Sequence, residues 1–420
     1  MTEILRGNLV HTPEFGKLET IPHGYIVLED GVVEGIFPVL PERYAACPAV
    51  DYKDCLIMQS FADLHLHAPQ YPMLGMGMDL PLLDWLDTYT FQTEARFSDL
   101  DYARQVYRQL AEDLISSGTT RVAMFSSRHA DATLILMEEL ERAGAAGYVG
   151  KVNMDRNSGA AQEAAGTSIP ETLRWLEGCR FAHVKPILTP RFTPSCSDGL
   201  LEELGKLALE RGLPVQSHLS ESPGEISWVK ELCPDCGQYW ETYRKYGLWK
   251  KGTLMAHCVY SDEKEQEAMR EAGVWAVHCA ASNVNLCSGT APVREMLERG
   301  VRVALGSDIA GGDQLAMNRV ITASIRASKV RQMETGDPFL SVPEAYYLGT
   351  AAGHGYFDGS SGFQEGKKLH AIVVDDSTFP PAARELRLEE RFERAVYLME
   401  KQHIRAVYSE GRMAPFCRLR

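Results

Sequence analysis

Eight short apolar runs recur through the middle of this 420-residue sequence, and helical stretches separate most of them. The first is Phe61–His67, and the others lie at 120–125, 148–154, 183–188, 214–218, 253–257, 274–278 and 302–308. Between them, 100–116, 132–143, 200–210 and 263–271 carry apolar residues at helical spacing. Gly144, Gly212, Gly273 and Gly300 each stand where a helix C-cap is expected. Ser168-Ile169-Pro170-Glu171 has the capping-box pattern that starts a helix. Eight strand–helix units over about 300 residues predict an α/β fold, a (β/α)8 barrel of the TIM type, which needs about 250 residues before insertions. The alternative, a doubly wound open sheet, lacks support, because no G-x-G-x-x-G or P-loop follows any strand.

The two ends read differently. Near the start, 25–28 and 32–36 are strand-like around Asp30-Gly31, a hairpin signal. Near the end, 371–376, 395–398 and 404–408 are again strand-like. The expected organisation is a catalytic barrel at 58–365, flanked by 1–57 and 366–420, which together form a small composite β domain from both termini.

A barrel carries its chemistry at the C-terminal ends of its strands. Here the first strand ends in His65 and His67, the fifth in His218-Leu219-Ser220-Glu221, the sixth in His257, the seventh in His278 and the eighth in Asp308. Residues two apart on a strand share a side, so His65 and His67 point together, and strict alternation adds Asp63. His65, His67, His218 and Asp308 are assigned as ligands of one divalent metal. Three imidazoles and a carboxylate suit zinc, with iron(II) as the alternative. Glu221, near the substrate but off the metal, can carry a proton from water to the leaving group. Asp308 can also accept the water's proton. His257 either holds the metal's water or packs as a core histidine. His129 and His278 read as structural, or as holding groups that touch the metal, rather than as catalytic. Lys185 sits toward the start of its strand, which argues against a carboxylated-lysine bridge between two metals. Cys233-Pro234-Asp235-Cys236 has no second pair, and no H-x-E precedes it, so neither a zinc knuckle nor the cytidine-type deaminase signature applies.

At this point the residues resemble a known group. H-x-H on the first strand, histidines on the fifth and sixth and aspartate on the eighth are similar to the metal-dependent amidohydrolase superfamily. Within it, the stretch at 64–97 and the segments KPILTPRFTPSC, VQSHLSES, MAHCVY, HCAASNVNLCSG and LGSDIAGG resemble the guanine deaminase family. The resemblance implies hydrolysis of guanine to xanthine and ammonia by a cytoplasmic homodimer with one zinc per chain. Carried over position by position, it gives the same four metal ligands, with Glu221 as proton shuttle and His257 holding the water. Gln70, Arg191 and Phe192 would recognise the purine, and His67, His218, Glu221 and Asp308 would border it. Gln70 offers donor and acceptor, Arg191 donates to a ring carbonyl, and Phe192 supplies a stacking face. In the implied mechanism, zinc lowers the pKa of its water, and the resulting hydroxide attacks the carbon that bears the amino group. Glu221 then protonates the ring nitrogen and the departing amine. The segment 74–97 is expected to be a loop over the strand ends that excludes water, with Gly75 and Gly77 giving it freedom to move. The chain departs from the superfamily at Gln59-Ser60, where Pro-Gly is common, and at Ala280, where proline is usual.

Charge and cysteine usage agree with this reading. A net charge of −14 argues against nucleic acid or an anionic membrane as partner. Ten cysteines without a secretory pattern read as reduced cytosolic thiols. No apolar run approaches the roughly 20 residues a membrane span requires.

Overall fold

The structure, a computed structural model, describes residues 1–415 apart from 165. The chain opens with β1 (Thr2–Glu14), β2 (Lys17–Glu29), β3 (Val32–Phe37) and β4 (Ala49–Gln59). The middle carries β5 (Phe61–His67), β6 (Thr119–Phe125), β7 (Ala146–Gly150), β8 (Val152–Asn153) and β9 (Val184–Pro186). It continues with β10 (Thr189–Pro190), β11 (Gln216–Leu219), β12 (Leu254–His257), β13 (Trp275–His278) and β14 (Arg302–Leu305). The last strands are β15 (Ala371–Val374), β16 (Ile404–Ser409) and β17 (Arg412–Met413).

Strands from both ends of the chain form one seven-stranded sheet, in the order β17-β16-β15-β4-β1-β2-β3. Asp30 and Gly31 join β2 to β3 with φ of 49° and 78°, the left-handed pair that a tight hairpin between twisted strands needs. A Cβ on Gly31 would lie 2.5 Å from the carbonyl oxygen of Gly411. Glycine at both positions therefore lets turns from opposite chain ends touch.

The middle forms an α/β arrangement of two four-stranded parallel sheets, β5-β6-β7-β9 and β11-β12-β13-β14, plus the β8–β10 pair. A parallel bridge between Leu188 and Val215 links the first sheet's side to the second. Beyond β14, Asp308 N–H donates to His65 O at 2.8 Å and His67 N–H to Ile309 O at 3.1 Å. Ala62, Leu64, Ala123, Val277 and Ala304 meet in one apolar cluster. Helices cover the other faces of these strands. Leu100–Ser116, for example, starts at Asp99, whose carboxylate accepts from the backbone of Asp101 and Tyr102. Gly144 and Gly273 end the helices Ala130–Ala143 and Glu263–Ala272 in the left-handed conformation.

Four expectations need correction. The run at 148–154 is broken into β7 and β8, and the ladder near 183–188 into β9 and β10. Pro186 removes a ladder donor, and pairing restarts at Thr189. Residues 395–398 are not a strand but the end of the helix Leu388–Leu398. Its buried Phe392, Ala395 and Val396 recur at i, i+3 and i+4, and the β-branched, aromatic composition of Ala395-Val396-Tyr397 hides that period. Ser168 is not the cap of its helix. Thr167 is, and Ser168 Oγ instead donates to Glu163 Oε2 at 2.6 Å. The segment 74–97 is largely helical, with Leu82–Trp85 and Phe91–Ala95 in α-helix. Gly77 there is a packing position rather than a hinge, since a Cβ would lie 2.7 Å from the Tyr89 ring.

One buried charge clamps β6 to the C-terminal segment. Arg121 Nη2 donates to Asp358 Oδ2 at 2.8 Å and to Glu410 Oε1 at 2.9 Å, and His370 Nε2 lies 3.1 Å from the same Glu410 oxygen. Arg121→Met strands two partly buried carboxylates, a change that costs about 3–5 kcal/mol. Thermal denaturation should show a clearly lower Tm for Arg121→Met, and an unchanged Tm would mean the clamp adds no stability.

Candidate active site

All seven residues of β5 are buried, but they do not alternate strictly. Its pairing with β6 shifts register between Asp63 and Leu66. That shift separates Asp63 from the imidazoles. Its carboxylate accepts from Ser307 N–H and Ser307 Oγ–H, at 2.9 and 2.5 Å, instead of joining them. Burial pushes the Asp63 carboxyl up to about 7.

His65, His67 and His218 place one ring nitrogen each within 4.8 Å of one another, and His65, His257, Cys279 and Asp308 do the same with one donor atom each. Asp308 sits between the groups, with Oδ1 3.2 Å from His65 Nε2 and 3.5 Å from His67 Nε2. His218 Nδ1–H donates to Arg191 O at 2.6 Å, which leaves its Nε2 as a lone pair 3.1 Å from His67 Nε2. His65 Nε2 faces Asp308 and is otherwise unpartnered. Burial lowers the pKa of His65, His67 and His218, so all three favour the neutral form that binds metal. Burial alone would raise Asp308, but His65, His257 and His67 outweigh it and hold the carboxylate ionised far below its usual range. Converging imidazole lone pairs around an ionised carboxylate fit a single divalent cation.

Next to this cluster, Glu221 Oε2 lies 3.5 Å from His257 Nε2, and Ser288 Oγ donates to Glu221 Oε1 at 3.3 Å. Burial raises Glu221 to about 7. Its backbone N–H donates to Glu225 Oε2 at 2.8 Å, and Tyr239 donates to the other Glu225 oxygen at 2.6 Å. His257 Nδ1 bonds Asn283 Oδ1 at 2.9 Å, which fixes the ring with Nε2 toward Glu221 and Asp308. Burial opposes charge on His257, but Glu221 and Asp308 raise its pKa above the ordinary value. His257 and Asp308 have φ of 74° and 46°. Left-handed backbone at such residues costs on the order of 1–3 kcal/mol each and persists where surrounding contacts over-determine it.

The donor cluster floors a small cavity. Leu82, Trp85 and Leu86 of the helical segment, with Phe192 and Leu286, form apolar walls, while Gln70 and Arg191 supply polar ones. The structure thus gathers His65, His67, Gln70, Arg191, Phe192, His218, Glu221, His257 and Asp308 in one place. His129, His278, Lys185 and the Cys233–Cys236 pair lie outside it. Lys185 is exposed and donates to Phe181 O, and His278 borders a separate cavity. Glu94, Asn283, Ser288, Glu225 and Cys279 escaped the sequence reading. Each is a single polar residue in a helix or loop, and periodicity marks none of them.

The sequence profile of the Amidohydrolase family matches residues 56–414, and the chain belongs to that family. Within it, the chain is similar to the guanine deaminase of Dictyostelium discoideum, with 33% identity over 443 residues covering 99% of this chain and 98% of that protein. It is also similar to the guanine deaminase of Homo sapiens, 33% identical over 393 residues, with 89% of this chain and 87% of that protein covered. Among solved structures it is similar to the guanine deaminase from C. acetobutylicum with guanine bound in the active site. That match has 42% identity and a TM-score of 0.95, and it covers 99% of this chain and 100% of that one.

His218 tests the donor set directly. The purified chain should hold one divalent ion by elemental analysis, and His218→Ala should lose most of it. Unchanged metal content would remove His218 from the set.

Proposed function

We propose that this chain hydrolyses guanine to xanthine and ammonia, at a site where His65, His67, His218 and Asp308 hold one zinc ion. One observation carries the reading. A buried donor cluster with a carboxylate beside it shares its cavity with Gln70 and Arg191, groups able to read a purine edge. The likeness to guanine deaminases, one with guanine bound, supports the choice of base. Zinc rather than iron is preferred because three imidazoles and one carboxylate with an open position suit it.

The bound metal would act as a Lewis acid that lowers the pKa of the attacking water. Asp308 is placed to accept that water's proton, and His257, steered by Asn283, to hold the water by a hydrogen bond from Nε2. Water's oxygen bonds the ring carbon that carries the exocyclic amine. Glu221 gives its proton to the adjacent ring nitrogen, is recharged with the proton that Asp308 took from water, and passes this one to the amine. As the C–N bond breaks and ammonia leaves, the new hydroxyl gives its proton to Glu221 and becomes the ring carbonyl. A carboxyl held near 7 can both take and give a proton at neutral pH. Gln70 and Arg191 hydrogen-bond the base, Phe192 faces the ring, and Trp85 and Leu86 keep bulk water away.

The same proposal includes the finer architecture. The eight parallel strand units close into a barrel at 58–365, supported by the Leu188–Val215 bridge at one seam and the Asp308–His65 hydrogen bond at the other. The shared terminal sheet supports a composite β domain from 1–57 and 366–420. Homodimerisation and a cytoplasmic location complete the proposal, and both rest on the likeness. Among the described residues no helix is long and apolar enough to cross a membrane.

Ammonia release from guanine, adenine and cytosine by the metal-loaded chain decides the activity, and none from guanine would overturn it. Glu221→Gln should keep its metal and lose about 10²–10⁴-fold in kcat. Turnover near that of the native chain would remove Glu221 as the shuttle.

A further inference from the structure

The proposed activity leaves one buried carboxylate unused. Glu94 lies on the short helix Phe91–Ala95 over the strand ends and is 1% exposed. Its Oε1 accepts from Gln70 Nε2 at 2.9 Å and its Oε2 accepts from Arg191 Nη1 at 2.7 Å. Glu94 itself does not line the cavity, whereas Gln70 and Arg191 both do. The same helix places the Phe91 ring 5.4 Å from the Arg191 guanidinium carbon.

We infer that Glu94 is a positioning residue that fixes the orientation of Gln70 and Arg191, and through them the specificity of base recognition. The inference rests on the activity proposed above. Gln70 shows how the constraint works. Its Oε1 accepts from Ala310 N–H at 3.0 Å while its Nε2 donates to Glu94. A flipped amide would set NH2 against that N–H and oxygen against the Glu94 carboxylate, two repulsive contacts in a buried site. Only one polarity of the Gln70 amide is therefore allowed, so its remaining N–H and lone pair meet the base in a set order. Arg191 is constrained likewise. Its guanidinium is always charged, and burial without an acceptor is costly. Glu94 takes up one face of that fork and leaves the others for the base. One segment thus both walls the cavity, through Leu82, Trp85 and Leu86, and holds its reading groups, through Glu94.

Glu94→Gln keeps the side chain's size but removes one acceptor, so Gln70 and Arg191 cannot both be satisfied. With metal content equal to the native chain, KM for guanine should rise about 10–100-fold and kcat should change less than about 3-fold, the pattern of lost binding common to ground and transition states. Glu94→Asp retains the charge and should fall between the two. In an Arg191→Met background, Glu94→Gln should lose most of its effect, since residues that act through each other are not additive. A drop in kcat at unchanged KM, or a fully multiplicative effect with Arg191→Met, would overturn the inference. The native chain assayed alongside separates the two readings. If it does not turn over guanine, the proposed activity fails and this role goes with it. If native turnover is present and the KM of Glu94→Gln is unmoved, only the role of Glu94 fails.

Discussion

Asp308 is the group on which the rest of the site depends. Its backbone N–H reaches the first strand of the parallel set through His65 O, and its carboxylate faces His65, His67 and His257. A bare carboxylate at that depth would be too costly to keep ionised. The imidazoles around it make ionisation favourable, and the carboxylate makes a cluster of buried imidazoles tolerable. The end of β14 and the end of β5 meet at this point. The left-handed backbone at Asp308 and His257 is the local cost of that meeting.

A second layer of polar contacts turns the cluster into a directed site. Arg191 O receives His218 Nδ1–H, Asn283 orients His257, and Glu225 holds the backbone of Glu221. Each contact fixes which face of a side chain looks into the cavity. The same logic extends outward through Glu94 to Gln70 and Arg191. Trp85 and Leu86 give the same cavity an apolar wall, and charge interactions beside apolar walls are stronger than in water.

Much of this was legible along the chain, and the parts that were not share a cause. Helix Leu100–Ser116 and the glycine at 144 follow local rules, and they lie where periodicity and capping predict. Residues 395–398 misled because branched and aromatic composition suits either a strand or one face of a helix, and only packing of Phe392 and Val396 decides. Asp63 departs from strict alternation because pairing with β6 imposes a register shift between Asp63 and Leu66, which no local pattern shows. Residues 74–97 look like a loop because Pro72, Gly75, Gly77 and Pro81 crowd its start. Its helices form where Leu82, Trp85 and Phe91 join one apolar cluster with Phe125, Val152 and Met154.

What the sequence determined by itself is the repeated strand–helix period and the placement of His65, His67, His218, His257 and Asp308 at strand ends. Both are local properties, spacing and residue type, and they need no partner to be read. The tertiary structure alone decided that these ends converge on one point, that Asp63 turns away, and that Glu94 stands behind Gln70 and Arg191. Glu94 lies 24 residues from Gln70 and 97 from Arg191 along the chain. No local pattern encodes such a meeting. It exists because a buried carboxylate and a buried guanidinium must each find a partner, and the fold brings these within hydrogen-bond reach.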